Sequence, residues 1–267
     1  RFLDGSLTNT LRFTYSPQYE PRSYEGRLFP TVDILEKTPE GTDAVLTTFG
    51  LDPFTEGNLR EVGTYVVTDE VGYSTGIHRL TGGLQFEHDN TKNGYMQGGA
   101  GYYIYDSWSD FTSNAAPGAF VITHANRTDL KQSYPSFNYM QYSIYAQDEI
   151  TFSERFKATL GLRLEIPVYP TIAGNENKDF TSLFAGNGGY KTSDMPKARL
   201  NVAPRFGFNW DMTGERKYIL RGGTGVFNGR LPFVWLVSVA GNSNTIQNGL
   251  TLYRDDKERT KPMPSFH

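Results

Sequence analysis

Cysteine is absent from the 267 residues. That excludes disulfides, thiolate metal sites and cysteine nucleophiles. Long apolar runs are absent too: none approaches the 18 residues of a transmembrane helix. Charge of one sign is not in excess, with 26 Lys and Arg against 29 Asp and Glu for a net charge of −3, so there is no basic footprint for nucleic acid. Histidine is scarce at four residues. The chain opens on Arg1 without a signal peptide, and is read as an internal piece of a longer precursor. What is abundant is aromatic: 17 Tyr and 18 Phe accompany 28 Gly, which argues all-β. A mean hydropathy of −0.50 is compatible with strands of which only one face is apolar.

The clearest pattern runs from Phe137 to Val168. Asn138, Met140, Tyr142, Ile144, Ala146, Asp148, Ile150 and Phe152 alternate with Gln141, Ser143, Tyr145, Gln147, Glu149 and Thr151. After Ser153-Glu154-Arg155 the alternation resumes, with Phe156, Ala158, Leu160, Leu162, Leu164 and Ile166 against Lys157, Thr159, Gly161, Arg163 and Glu165. A period of two gives each segment one apolar and one polar face, and the polar interruption makes the pair an antiparallel hairpin. Two environments fit: a soluble sandwich with a dry core, or a membrane barrel whose apolar face meets lipid and whose polar face lines a wet lumen. The run lengths and the aromatics Tyr142, Phe152 and Phe156 towards the ends favour the barrel.

In chain order, Leu7, Leu11, Phe13 and Tyr15 mark a first strand, and Pro17–Gly57 is a long loop with short β-like runs at 31–35 and 44–49. Leu59–Thr68 is a second strand with Val62, Thr64 and Val66 on its apolar face, and Asp69–Thr75 a turn. Ile77–Asp89 is a third, followed by Asn90–Phe137, in which 94–105 reads as a hairpin extending the sheet. After the central hairpin come a long connection to Val202, a strand through Arg205–Met212, a turn at Thr213–Arg216, a strand at Tyr218–Phe227 and a last segment with a short helix at Leu231–Ala240. Long and short connections therefore alternate, as in membrane barrels with short periplasmic turns and long external loops. A soluble sandwich has no reason to sort them so.

On these residues the chain resembles a known family. YAQDEITFSERFKATLGLRLEIP (Tyr145–Pro167) and APRFGFNWDMTGERKYILRGGTGVFNGRLPFVWL (Ala203–Leu236) are similar to the barrel of TonB-dependent outer-membrane transporters, and RGGTGVFNGRLPFVW to their Oar-like, carboxypeptidase-regulatory-like subgroup. The resemblance implies about seven strands of a larger barrel, residues 1–267 being one part of it, with plug domain and remaining strands outside this sequence. It implies energy-coupled import of a scarce, large nutrient across the bacterial outer membrane. The implied partners are the plug, the TonB energy-transducing complex, outer-membrane lipid and a surface lipoprotein lid. No enzyme activity and no cofactor are expected. A soluble carbohydrate-binding or carbohydrate-active module is the alternative, and a surface-adhesion or secretion scaffold a third reading.

Sites for bond-making chemistry are weak. His78 and His88 lie ten residues apart on one strand, roughly 33 Å, and cannot share an ion. Glu149 and Glu165 sit at different distances from their turn, unlike a glycosidase pair. Gly222–Gly225 lacks the Lys-Ser/Thr of a phosphate loop. Asn126-Arg127-Thr128 matches a glycosylation triplet that is common by chance. Tyr103, Tyr105, Trp108 and Trp235 in the external loops, with Arg163 and Arg205 on the polar face, are the candidate ligand contacts. Loop cores and charge pairing to a plug explain the same residues.

Overall fold

The computed structural model describes residues 6–127, 133–170, 172–258 and 260–266. Its strands are β1 (Leu7–Pro21), β2 (Thr31–Lys37), β3 (Asp43–Phe49), β4 (Leu59–Thr75), β5 (His78–Gly94), β6 (Tyr102–Tyr105), β7 (Ala119–Ala125), β8 (Ser136–Thr151), β9 (Phe156–Val168), β10 (Asn201–Asp211), β11 (Ile219–Gly225) and β12 (Gln247–Tyr253). Three short helices join them: α1 (Trp108–Thr112), α2 (Lys178–Leu183) and α3 (Phe233–Gly241). None is long and apolar enough to cross a membrane.

Two sheets result. The larger has seven strands in the order β1-β4-β5-β8-β9-β10-β11, every neighbouring pair antiparallel and the strands lying side by side in the order the chain reaches them. It is open, with β1 and β11 at its edges. Its β4, β5 and β8 have 17, 17 and 16 residues, beyond the roughly 9–11 a tilted membrane strand needs. The register aligns the apolar positions across strands: Val67, Phe86, Tyr142 and Ile166 form one row, and Ala146, Leu162 and Pro204 another. Among the described residues none forms a layer over that face. Leu160 and Leu162 are 51% and 45% exposed, so the leucines of the central hairpin are not in a dry core.

Aromatic contacts gather at the two ends of this face. Near the short turns Phe152, Phe156 and Phe208 stand in sequence, with centroids 5.8 and 6.5 Å apart. Near the long connections Tyr15 stacks on Tyr65 at 4.7 Å and Phe86 meets Tyr142 at 5.1 Å. From Tyr142 to Phe152 is ten residues, or about 33 Å along the strand and about 25 Å after a 40° tilt. That is the height of an outer-membrane apolar band.

Three expectations are corrected. Asp69–Thr75 is strand, not turn; the reversal is at Gly76, with φ +55°, and Ile77. The apolar face of β4 carries Tyr65, Val67, Val71 and Tyr73, because Tyr65 pairs with Tyr15 and Val67 with Phe13; Val62, Thr64 and Val66 point the other way. Third, 94–105 does not extend the main sheet.

Instead the long connections build the second sheet, ordered β12-β7-β6-β2-β3. Its β2 and β6 pair in parallel although they come from different connections. Val32, Ile34 and Tyr105 are its buried centre, surrounded by Phe49, Tyr103, Phe111 and Phe266. Gly50 is essential to this fold: its φ is +95°, and a Cβ there would run into the Pro30 carbonyl oxygen. Backbone cannot swing away as a side chain can. Gly50→Ala is expected to cost at least about 1 kcal/mol from φ alone, more with the clash. Protease sensitivity of 22–58 on intact cells, rising while the main sheet keeps its stability, checks it.

Candidate functional site

The polar face of the main sheet is wired together at mid-height. Arg163 donates from Nε to Glu165 Oε1 at 2.6 Å, and from Nη2 to Gln85 Oε1 at 3.0 Å and Ser143 Oγ at 2.9 Å. Gln141 donates to the same Glu165 oxygen at 3.0 Å and accepts from the Tyr139 hydroxyl. Towards β4, Tyr145 donates to Glu70 at 2.7 Å. Alternation puts these groups on one face, and the β5-β8-β9 register sets them side by side.

The segment after β11 folds back over this face. Leu236 and Val237 of α3 are buried against Phe137, with Tyr169, Ile172, Met195, Leu231 and Phe233 around them. Phe137 belongs to the polar face, since it pairs with Thr91 and lies two residues from Tyr139. Arg230 anchors the segment. It donates to Asp89 Oδ2 at 2.9 Å and to Glu87, and its guanidinium lies 4.7 Å above the Tyr139 ring and 5.5 Å from that of Phe233. Burial works against the Arg230 charge, but Glu87 and Asp89 outweigh it and raise its pKa above the ordinary value. Burial likewise pushes the Tyr169 phenol up, against the Leu231 backbone and the Arg230 charge.

Of the candidate residues, Arg163 sits within the polar network. Arg205 is exposed on the same face, 5.1 Å from the Phe227 ring. Trp235 is 62% exposed on α3. Tyr105, 1% exposed, lies in the core of the second sheet with Tyr103 beside it, whereas Trp108 is 53% exposed. The structure thus places Tyr103, Tyr105 and Trp108 with the second sheet, apart from the polar-face arginines, and Trp235 on the segment folded over the polar face. In the second sheet Tyr102 donates to Asp33; burial, then this bond, raises its pKa.

His78 and His88 do not meet. His78 Nδ1 is 2.7 Å from Asp148 Oδ2 on the apolar face, and His88 stacks on Tyr65. Among the described residues no three His, Asp or Glu side chains cluster as metal ligands. Thr128 of the glycosylation triplet lies outside the described residues. Sequence reasoning missed Glu87, Asp89 and Arg230. The arginine is 141 residues from Asp89, and its local signal is a charge immediately before the apolar run LPFVWLV.

A family model described as outer membrane beta barrel domain matches residues 3–263. No curated protein and no solved structure matches the chain.

Proposed function

The chain belongs to the outer membrane beta barrel domain family and resides in the bacterial outer membrane, and from that premise we propose that it forms part of the barrel of a TonB-dependent transporter. The apolar face then meets lipid and the polar face lines the lumen. The short turns lie on the periplasmic side, and the second sheet stands outside the cell. A plug domain and further strands complete the barrel, the TonB complex supplies energy, and a surface lipoprotein covers the mouth. The task is import of a scarce, large nutrient, without covalent catalysis.

The observation that carries this reading is the pair of runs Tyr145–Pro167 and Ala203–Leu236, which resemble that transporter family and fall on strands β8 to β11 and the inward segment. A lumen wall of hydrogen-bonded polar groups under a folded-in segment suits passage of a bulky polar solute. Growth of a deletion strain on limiting nutrients tests it. Complementation is expected to restore growth on one large nutrient only where the TonB complex is functional. Restoration without that complex contradicts energy coupling.

The second sheet has its own core, which favours a surface-scaffold reading as well. In that case the deletion leaves every uptake rate unchanged and reduces surface attachment.

A further inference from the structure

On β4 the apolar face reads Tyr65, Val67, Asp69, Val71 and Tyr73. Asp69 thus lies midway between two tyrosines, about 13 Å along the strand from each. Leu11 and Leu84 are its neighbours across the sheet. A carboxylate at that height of a lipid face is costly unless a partner meets it.

The sheet answers its other carboxylates on this face. Glu61 lies beyond the tyrosines and faces Lys92 at 3.8 Å, and Asp148 Oδ2 is 2.7 Å from His78 Nδ1. Asp69 has only an amide. Asn9 Nδ2 donates to its Oδ1 at 2.7 Å, and among the described residues no donor reaches Oδ2 and no basic side chain pairs with it. Both residues are exposed. Asn9 is on the edge strand β1 and Asp69 on the strand behind it. In a closed barrel another strand pairs with that edge, because lipid leaves no backbone group unpaired. From there Asp69 is two strand spacings away, about 10 Å. The polar face shows that a long cation covers such a span over a short side chain. Arg163 on β9 reaches across β8, past Ser143, to Gln85 on β5 at 3.0 Å. Asn9 leaves the same kind of gap.

We infer that the strand lying against β1 carries a lysine or arginine on its outward face, which crosses Asn9 and forms an ion pair with Asp69. The pair fixes register as well as charge. A slip of two residues keeps every side chain on its own face, so the apolar pattern alone does not choose between such registers. A cation aimed at one carboxylate does. The inference rests on the barrel of the proposed function, and names the chemistry of the strand that completes it at this edge.

The test is urea unfolding of the full-length barrel, purified and refolded into vesicles, with Asp69→Leu, Asp69→Asn, and Asp69→Leu combined with Asn9→Leu. Asp69→Leu strands the cation in hydrocarbon and is expected to lower the folding equilibrium constant about tenfold or more. Asp69→Asn keeps an acceptor for Asn9 and decides the matter if the leucine variant does not fold, with an expected loss of about threefold or more. The double variant is expected to stay well below the parent, because removing Asn9 leaves the cation in place. A gain or no change in Asp69→Leu, or in Asp69→Asn where that variant decides, overturns the inference, since a carboxylate facing bare lipid is better replaced. Recovery of the double variant to the parent value overturns it too, because the loss then belongs to the Asn9 hydrogen bond. The same variants are heated in native membranes, and a loss confined to them gives the cation to a separate protein and overturns its assignment to this barrel. A large penalty for arginine at Leu162 beside a harmless Asp69→Leu leaves the lipid-facing barrel standing and removes this ion pair alone.

Discussion

Leu162→Arg is expected to cost about 2–4 kcal/mol of folding stability in a bilayer, the penalty of a cation on the lipid face of a barrel strand near the midplane. Leu162 projects from the apolar face between Ala146 and Pro204 and is 45% exposed. Gln147→Arg is the matched control. Gln147 pairs with Gly161, one step along the same strands, and points to the polar face. A long cation there reaches water, so a change below about 1 kcal/mol is expected. Urea unfolding of both variants of the full-length barrel, refolded into vesicles, measures the difference. Equal penalties would mean that the two faces see the same medium.

Removing the inward anchor has the second large effect. Arg230→Ala leaves Asp89 buried beside Glu87 with no cation, a situation worth about 3–5 kcal/mol. The penalty falls locally, because the segment can lift away and hydrate the carboxylates while the β-ladders stay paired. Residues 226–241 should then be cut by protease added to intact cells, with the heat resistance of the barrel unchanged. Asp89→Ala on the Arg230→Ala background removes much of the uncompensated charge, and should recover part of the protection. A segment equally protected in Arg230→Ala and in the parent chain would show that α3 packing alone holds it.

How much of this was readable beforehand follows from sequence separation. The central hairpin declares itself because its partners are neighbours in the chain and its two faces differ in nearly every pair, Asp148 opposite Leu160 on the apolar face being an exception. β4 does not, since Val62, Thr64 and Val66 on one side look as β-like as Tyr65, Val67 and Val71 on the other. Only its pairing with β1 and β5 decides which side is outward. The Gly and Ser of 69–75 read as a turn, yet in a strand a Gly at position 72 merely lies opposite Thr8 and Thr81. The second sheet was recognisable only as scattered fragments. Its strands have four to seven residues, come from three separate connections and meet through a parallel β2–β6 pair, a contact that no local pattern encodes. The Arg230 anchor is non-local in the same way, whereas the Arg163 network comes from adjacent strands, and its members were already on the polar side of the alternation.

The most direct measurement uses what the chain lacks. These 267 residues have no native cysteine, so with any cysteine outside them replaced, single cysteines can be placed at each position from Ala158 to Ile166 in the full-length protein, in outer-membrane vesicles. A bimane label on even positions should be quenched by brominated lipid and ignored by iodide, and on odd positions the reverse, with strict period two along β9. Iodide quenching at Leu160, Leu162 and Leu164, or no alternation at all, would contradict a strand standing between hydrocarbon and a watery interior.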